Sequence, residues 1–277
     1  MTREAIETNT SAYQRWLRRA HMPAHARRTA GRNAAFLLPH LRPGMRLLDA
    51  GCGPGSITAG LAAAVAPGGA VTGIDANVEA IAAARALAPA PAPEDARFAM
   101  GDVYALPFAE ATFDAVFSHA VMQHLRHPLE AMREMRRVMR PGGVIGVADA
   151  DHDGSIIWPA SAGADASLEL MRELRARAGG GDPRVGKRLG TLLYEAGFTH
   201  IEVSVAAGCD GTAESTQRAG SFWSAYLRSP ELRAQALALG LASDSELETM
   251  AHAWQAWGAA PGAMWARFWC QATAFAP

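Results

Sequence analysis

The feature that most constrains this chain of 277 residues is the glycine-rich segment LLDAGCGPGS at positions 47–56. Apolar residues lead into Gly51, Gly53 and Gly55, and a helix-like run follows at 57–65. This order predicts a strand, a tight loop and a helix. Glycines let the backbone turn sharply and approach a ligand closely, and the amino end of a helix offers N–H groups. We therefore expect a ligand-binding loop here.

A second signal is the lone acidic residue that ends the next apolar run, Asp75 in the sequence VTGID. It lies 20 residues beyond Gly55. A second parallel strand would end beside the first, so a carboxylate at its end would be placed to accept hydrogen bonds from a ribose diol. The two features together predict that a nucleoside-bearing cofactor binds here.

Glycine spacing narrows the choice of cofactor. The dinucleotide fingerprint is G-x-G-x-x-G, and its third glycine would fall on Ser56 in this chain. The spacing here is instead G-x-G-x-G, with Asp49 two positions before the first glycine. That order resembles motif I of the class I S-adenosylmethionine-dependent methyltransferases.

Later blocks of sequence extend the resemblance. A GD…LPF block occupies 101–108, a strand-like FDAVFSH segment occupies 113–119, and a helix-like run ends in RPGG at 140–143. This ordered set resembles the small-molecule methyltransferases of the ubiquinone and menaquinone C-methylation type. The resemblance is strong from 42 to 149, and 27–41 resembles the entry segment of a subgroup of these enzymes.

The resemblance implies an α/β fold. The sheet would be Rossmann-like, doubly wound and seven-stranded, with an antiparallel last strand and an inserted helical lid over its open end. The implied divisions are an N-terminal helical segment (1–41), the methyltransferase core (42–211), the lid (212–262) and the final strand (263–277). Between the fifth strand and the next helix, at 151–160, we expect a loop.

The same resemblance implies the cofactor, S-adenosyl-L-methionine, and a set of cofactor-binding residues. Asp75 would accept from the ribose diol, Asp102 from the adenine amino group, and the Val103 N–H would reach a ring nitrogen. Ser118, just past its strand, would offer a backbone carbonyl to the cofactor amine. The full cofactor-binding set is Asp49, Gly51, Cys52, Gly53, Asp75, Ala76, Asp102, Val103 and Ser118.

One catalytic candidate, His119, follows from position. It comes directly after Ser118 at the end of the fourth strand, where an acceptor must approach the sulfonium, and it could orient or deprotonate that acceptor. A histidine at such a place is also often a packing residue. No His/Asp/Glu set has the spacing of a metal site, which disfavours metal-dependent catechol methylation.

Composition sets limits on partners and location. There are 26 Lys and Arg against 27 Asp and Glu, a formal net charge of −1, so nothing electrostatic favours nucleic acid or an acidic membrane. The first residues lack a signal-peptide pattern, and no apolar run approaches the roughly 20 residues of a membrane span. We expect a cytoplasmic protein that binds a small molecule. Whether it forms a homodimer is left open by the sequence.

The sequence therefore predicts methyl transfer from S-adenosylmethionine to a small-molecule acceptor by in-line displacement, as in secondary metabolism. The tryptophans of the lid region favour an apolar or planar acceptor, although most of them are expected to form that region's own core. Two alternatives stay open: a non-methylating member of the fold that binds the cofactor structurally, and an NAD-dependent oxidoreductase. The glycine spacing and the missing Tyr-x-x-x-Lys motif argue against the second.

Overall fold

The computed structural model describes residues 22, 25–87, 96–177 and 181–277. The chain forms two compact units. Among the described residues, one contains 22, 25–87, 96–149, 185–205 and 270–277, and the other contains 150–177, 181–184 and 206–269. The sequence favours an apolar stripe of Tyr13, Trp16 and Leu17 and a proline-rich loop at 89–93. Both lie outside the described residues.

Seven strands form one mixed sheet. In chain order they are β1 Arg46–Ala50, β2 Ala70–Asp75, β3 Ala96–Met100, β4 Phe113–His119, β5 Met139–Trp158, β6 Thr199–Asp210 and β7 Met264–Phe275. Their order across the sheet is β3-β2-β1-β4-β5-β7-β6, with β7 antiparallel. The predicted Rossmann-like sheet with its antiparallel last strand is confirmed.

Nine α-helices connect or flank these strands in the described part of the chain. They are α1 Ala30–Asn33, α2 Ser56–Val65, α3 Val78–Leu87, α4 Pro128–Val138, α5 Ala162–Arg177, α6 Leu189–Glu195, α7 Ala213–Leu227, α8 Pro230–Ala238 and α9 Asp244–Ala259. None of the helices described is long and apolar enough to cross a bilayer.

Parallel pairing brings the carboxyl ends of the central strands to one edge. Ala50 of β1 pairs with Ile74 of β2, and Asp49 pairs with Phe117 of β4. The strands are buried on both faces, and Leu47 and Leu48, which point to opposite faces, lie in two different apolar clusters. Such near-continuous apolar strands are typical of a parallel sheet covered by helices.

The fifth strand is longer than the sequence predicts. The loop expected at 151–160 is wrong for most of its length, because β5 continues to Trp158. A Cβ on Gly154 would lie 3.1 Å from the ring of Phe268 in β7, so this half of β5 runs close beside its neighbour. Pairing with a long neighbouring strand overrides the loop-like composition of Asp151 to Gly154.

The unit that contains α5, α7, α8 and α9 has an apolar core of its own. Trp254 is fully buried, its ring stacks on Trp223 with centroids 5.3 Å apart, and its indole N–H donates to Ser167 at 2.7 Å. Helices α7 and α9 cross at two glycines. A Cβ on Gly220 would lie 2.5 Å from the Trp254 carbonyl oxygen, and one on Gly258 would lie 2.9 Å from a carbonyl oxygen of α7. The backbones of these two helices are therefore in direct contact.

Candidate cofactor and acceptor site

The glycine loop between β1 and α2 is held against the end of β2. The backbone N–H groups of Gly51 and Cys52 both donate to the Ile74 carbonyl oxygen, at 2.8 and 2.9 Å. Gly51, Gly53 and Gly55 have φ values of +84°, +54° and +78°. These conformations are in the left-handed region that glycine adopts without penalty, which explains why this loop requires three glycines.

Gly51 is required for a second reason. A Cβ at this position would lie only 2.2 Å from Cγ2 of Val121, which follows β4. By contrast, a Cβ on Gly53 would meet nothing within 4 Å among the described atoms. The loop is thus packed tightly at its first glycine and leaves open space at its second.

Asp75 ends β2 and is bonded directly to the glycine loop. Its Oδ2 accepts from the Gly53 N–H at 2.9 Å, and its Oδ1 accepts from the Asn77 N–H at 2.8 Å. Its side chain is half-buried. A carboxylate has about four acceptor positions, so these two bonds are compatible with a diol bound by the same group. The predicted proximity of Asp75 and the loop is what the structure shows.

The next strand places a second carboxylate near this end of the sheet. Asp75 pairs with Met100 of β3, and Asp102 follows two residues later in a turn. Oδ1 of Asp102 accepts from the Tyr104 N–H at 3.0 Å. Val103 is half-buried against the core, and Ala76, directly after Asp75, is half-buried as well.

Asp49 lies deeper than the other predicted cofactor residues. It is 2% exposed, and Thr58 of α2 donates its hydroxyl to Oδ2 at 2.6 Å. Burial, reinforced by the charge of Asp75 and opposed by the Thr58 hydrogen bond, raises the pKa of Asp49 to about 7. Neighbouring Cys52 is also buried, and desolvation raises the pKa of its thiol far above the usual range. A thiol that stays protonated is a poor nucleophile.

Ser118 and His119 are the last two residues of β4, so the expectation that Ser118 lies just past its strand is wrong. The strand continues because both residues pair with β5, Ser118 with Val147 and His119 with Ala148. The Ser118 hydroxyl is buried and donates to the Ala50 carbonyl oxygen at 3.0 Å. This bond ties the ends of β1 and β4 together.

His119 is buried at the end of β4. Its Nε2 is 3.2 Å from the side-chain amide nitrogen of Asn33, and its ring stacks on Phe117. Burial, with a smaller contribution from the positive charge of Arg28, lowers the pKa of His119 to about 3. The imidazole is therefore neutral at physiological pH, and Nε2 accepts a hydrogen bond from Asn33.

Asp149 of β5 holds the segment that covers Gly51. It is fully buried and accepts from the Met122 N–H at 2.8 Å and more weakly from the Gln123 N–H at 3.4 Å. These bonds fix the turn that begins at Val121. Burial raises the pKa of Asp149 to about 7, although the backbone hydrogen bonds and Arg28 act in the opposite direction.

Sequence reasoning missed the residues that support the site. No motif singles out Asn33, Thr58 or Val121. Thr58 contacts Asp49, nine residues before it, whereas Asn33 and Val121 contact residues that are distant in sequence. Asn33 and His119, for example, are 86 residues apart. No local pattern could have revealed these pairs.

Comparison with known proteins agrees with this geometry. Residues 41–197 match the model of a methyltransferase-domain family. The chain is also 32% identical over 199 residues to the uncharacterised methyltransferase C1B3.06c of Schizosaccharomyces pombe, a match that covers 69% of this chain and 70% of that protein. This chain belongs to the methyltransferase family.

One further sequence relative of this methyltransferase and one similar solved structure carry more specific names. It is 31% identical over 119 residues to demethylmenaquinone methyltransferase of Bacillus cytotoxicus, covering 43% of this chain and 50% of that protein. The structure of Haemonchus contortus phosphoethanolamine N-methyltransferase 2 in complex with S-adenosyl-L-methionine superposes with a TM-score of 0.54 and 19% identity. That superposition covers 88% of this chain and 52% of the other. With several curated relatives the match spans about half of their length.

The predicted membership in the class I S-adenosylmethionine-dependent methyltransferases is confirmed, and S-adenosyl-L-methionine is the cofactor of that class. The residues present fit this cofactor. Open space at Gly53 lies next to the Asp75 carboxylate, and both are at the carboxyl edge of a parallel sheet, where ligands bind in such folds. The predicted domain boundaries and the placement of the helical lid stay predictions.

Proposed function

We propose that this chain transfers the methyl group of S-adenosylmethionine to a small-molecule acceptor. The observation that carries the proposal is the hydrogen bond between the Gly53 N–H and the Asp75 carboxylate. It joins the glycine loop after β1 to the acidic end of β2, and it leaves a half-buried carboxylate beside open space. This is the arrangement expected for binding a ribose diol next to a glycine loop.

The remaining cofactor contacts follow from position. Asp102, in the turn after β3, accepts from the adenine amino group, and the Val103 N–H donates to the ring. The Ser118 carbonyl receives the cofactor amine, and the backbone of Gly51, Cys52 and Ala76 completes the surface. Asp49, which is too buried to reach a ligand easily, supports the loop through Thr58.

In this reaction the main task of the protein is to position the acceptor, and its side chains need not react themselves. The cofactor supplies an electrophilic methyl group on a sulfonium, and an in-line displacement requires an acceptor that is aligned and shielded from water. His119 is neutral and held by Asn33, so it can orient an acceptor by a hydrogen bond. A group with a pKa of about 3 is a weak general base at pH 7, so we assign His119 an orienting function.

The acceptor is proposed to be an apolar or aromatic small molecule. The names of two relatives support this class: demethylmenaquinone methyltransferase of Bacillus cytotoxicus and 27-O-demethylrifamycin SV methyltransferase of Amycolatopsis mediterranei, the latter 33% identical over 141 residues. The methylated atom, whether O, N or C, is left to experiment.

Calorimetry tests the cofactor and mass spectrometry tests the reaction. We expect S-adenosylmethionine and its demethylated product to bind in the micromolar range, about −8 kcal/mol, and NAD not to bind. Incubation with quinone and phenol acceptors and with 27-O-demethylrifamycin SV should then give a product heavier by one CH2. Binding of NAD alone would refute the proposal. Cofactor binding without turnover on any acceptor class would favour the non-methylating alternative.

A further inference from the structure

The strand at one edge of the sheet, β6 (Thr199–Asp210), has an unusual surface. It is the last strand in the sheet order, so one side of its backbone has no strand partner among the described residues. Val203 and Val205 are 56% and 60% exposed. Successive side chains of a strand alternate between faces, so these two valines share one face with Ile201, which is half-buried against the core.

Helix α6 extends this apolar surface. A Cβ on Gly190 would lie 3.0 Å from Cγ2 of Val203, so the helix runs beside the strand. Tyr194 is one turn further along the same helix and is 75% exposed. Val203 and Val205 therefore form an exposed apolar surface, which we name the β6 edge, and Tyr194 is a further exposed aromatic side chain on the helix beside it.

Proteins that remain monomeric protect such an edge with charges, prolines, bulges or very short strands. The twelve residues of β6 contain no proline, and its one non-glycine residue of positive φ, His200 (φ +51°), lies at the start of the strand. The charged side chains before the last position are those of Glu202 and, when protonated, His200. A long strand with two exposed valines and little charge is a surface for strand pairing. The lack of charge also disfavours a strongly acidic or basic partner.

We propose that two copies of this chain form a homodimer by antiparallel pairing of their β6 strands. A two-fold axis makes the same surface meet itself, and it also requires the two strands to run antiparallel. With the axis at Ser204, each Val203 faces the Val205 of the other copy and each Glu202 faces an alanine, Ala206. In this register no like charges are opposed, and four valines pack on one face of a continuous sheet.

Sedimentation velocity of the full chain tests the oligomeric state. We expect wild type to sediment at twice the mass of one chain, and Val203→Lys/Val205→Lys to sediment as a monomer, because the register would place lysines opposite lysines. Both positions are exposed, so the variant should retain its circular dichroism spectrum and its cofactor binding. Leu237→Lys is the matched control: it also removes an exposed apolar side chain, from α8, and should remain dimeric.

Cysteine crosslinking tests the register. In a Cys209→Ser background, Ser204→Cys would face itself across the axis, with Cα atoms about 4.5–5.5 Å apart, within the range of a disulfide. We expect a covalent dimer under oxidising conditions for Ser204→Cys, and none for Glu202→Cys. Wild type that sediments as a monomer at all concentrations would overturn the proposal, as would a dimer that persists in the double-lysine variant. A disulfide at position 202 but not at 204 would overturn the register.

Discussion

Cγ2 of Val121 occupies the space that a side chain at Gly51 would need, at 2.2 Å from the position of a Cβ. Gly51→Ala should therefore lower the free energy of unfolding by about 2–4 kcal/mol, since overpacking adds to the strain of positive φ. Gly53→Ala is the matched control, because position 53 also has a positive φ but has open space around an added Cβ. Its free energy of unfolding should fall by only about 1–2 kcal/mol. Urea titrations measure both.

A double-mutant cycle separates contact from strain at this position. Val121→Ala in the Gly51→Ala background should recover part of the lost stability, because it removes the atom that a new Cβ would meet. Strictly additive effects of the two substitutions would mean that Val121 does not restrict Gly51.

Asp75 is expected to contribute directly to cofactor affinity. Asp75→Ala should weaken binding of S-adenosylmethionine by roughly 1.5–3 kcal/mol, because it removes a charge-assisted hydrogen bond and the acceptor of the Gly53 N–H. Calorimetry on Asp75→Ala and Asp75→Asn measures the change, and Asn should lose less since it keeps one acceptor oxygen. Unchanged affinity in the alanine variant would place the ribose elsewhere.

His119 should remain neutral over the working pH range. Its pKa is lowered to about 3 by burial, so its ring-nitrogen NMR shifts should stay constant from pH 8 to pH 5. A midpoint near 6.5 would show that burial does not lower the pKa of this imidazole. His119→Ala should lower turnover by less than the 10²–10⁴-fold typical of general-base loss, about tenfold, with cofactor affinity unchanged. Turnover within twofold of wild type would reject an orienting function.

Asp49 should make the free energy of unfolding fall as the pH rises. Its pKa is raised from 3.8 to about 7, so between these values the unfolded chain has lost a proton that the folded chain retains. Below about pH 4 the carboxyl is protonated in both states, and Asp49 makes its full contribution to the free energy of unfolding. As the pH rises to about 7 this contribution is lost, which lowers the free energy of unfolding by up to roughly 4 kcal/mol.

The variant Asp49→Asn isolates this contribution from those of two other buried groups. Asp149 also lowers stability as the pH rises, whereas the contribution of His119 to stability is lost as the pH falls below 6.5. We expect Asp49→Asn to gain stability relative to wild type as the pH rises from 4 to 7, measured by urea titration without cofactor. Parallel curves for the two proteins would show that Asp49 is not protonated in the folded state at neutral pH.

Trp223 tests whether the helical unit affects acceptor choice. Its ring stacks on the buried Trp254, so Trp223→Ala should lower stability by about 2–3 kcal/mol, and Trp223→Phe should lower it less. We expect the alanine variant to change acceptor KM and kcat more than cofactor affinity. An equal loss of cofactor affinity would indicate general damage to the fold.

Sequence alone predicted the parts of the molecule that are encoded locally. The glycine loop, the position of Asp75 and the strand at 264–275 were recognisable because each follows a short pattern that has one structural solution. The sequence Ser-Asp-Ser-Glu at 243–246 is a further example, because it has the spacing of a capping box, and both of the reciprocal hydrogen bonds are present.

Features that depend on tertiary contacts were not predictable. One local feature is missed as well: the capping box of α7 has Ser215 at the third helical position, where the usual pattern has Glu or Gln. The protonation state of His119 depends on burial and, to a smaller extent, on the charge of Arg28, neither of which leaves a signal in the sequence around His119. Position in the chain identified this histidine, but its chemistry required the fold.

The crossing of α7 and α9 at Gly220 and Gly258 has a practical consequence for engineering. Any side chain added at either glycine would push the two helix backbones apart. In random mutagenesis of these helices, most substitutions at these two positions would therefore destabilise the protein. A library designed to test whether this unit affects acceptor preference should hold both glycines constant and vary the half-buried aromatic positions, such as Phe222, instead.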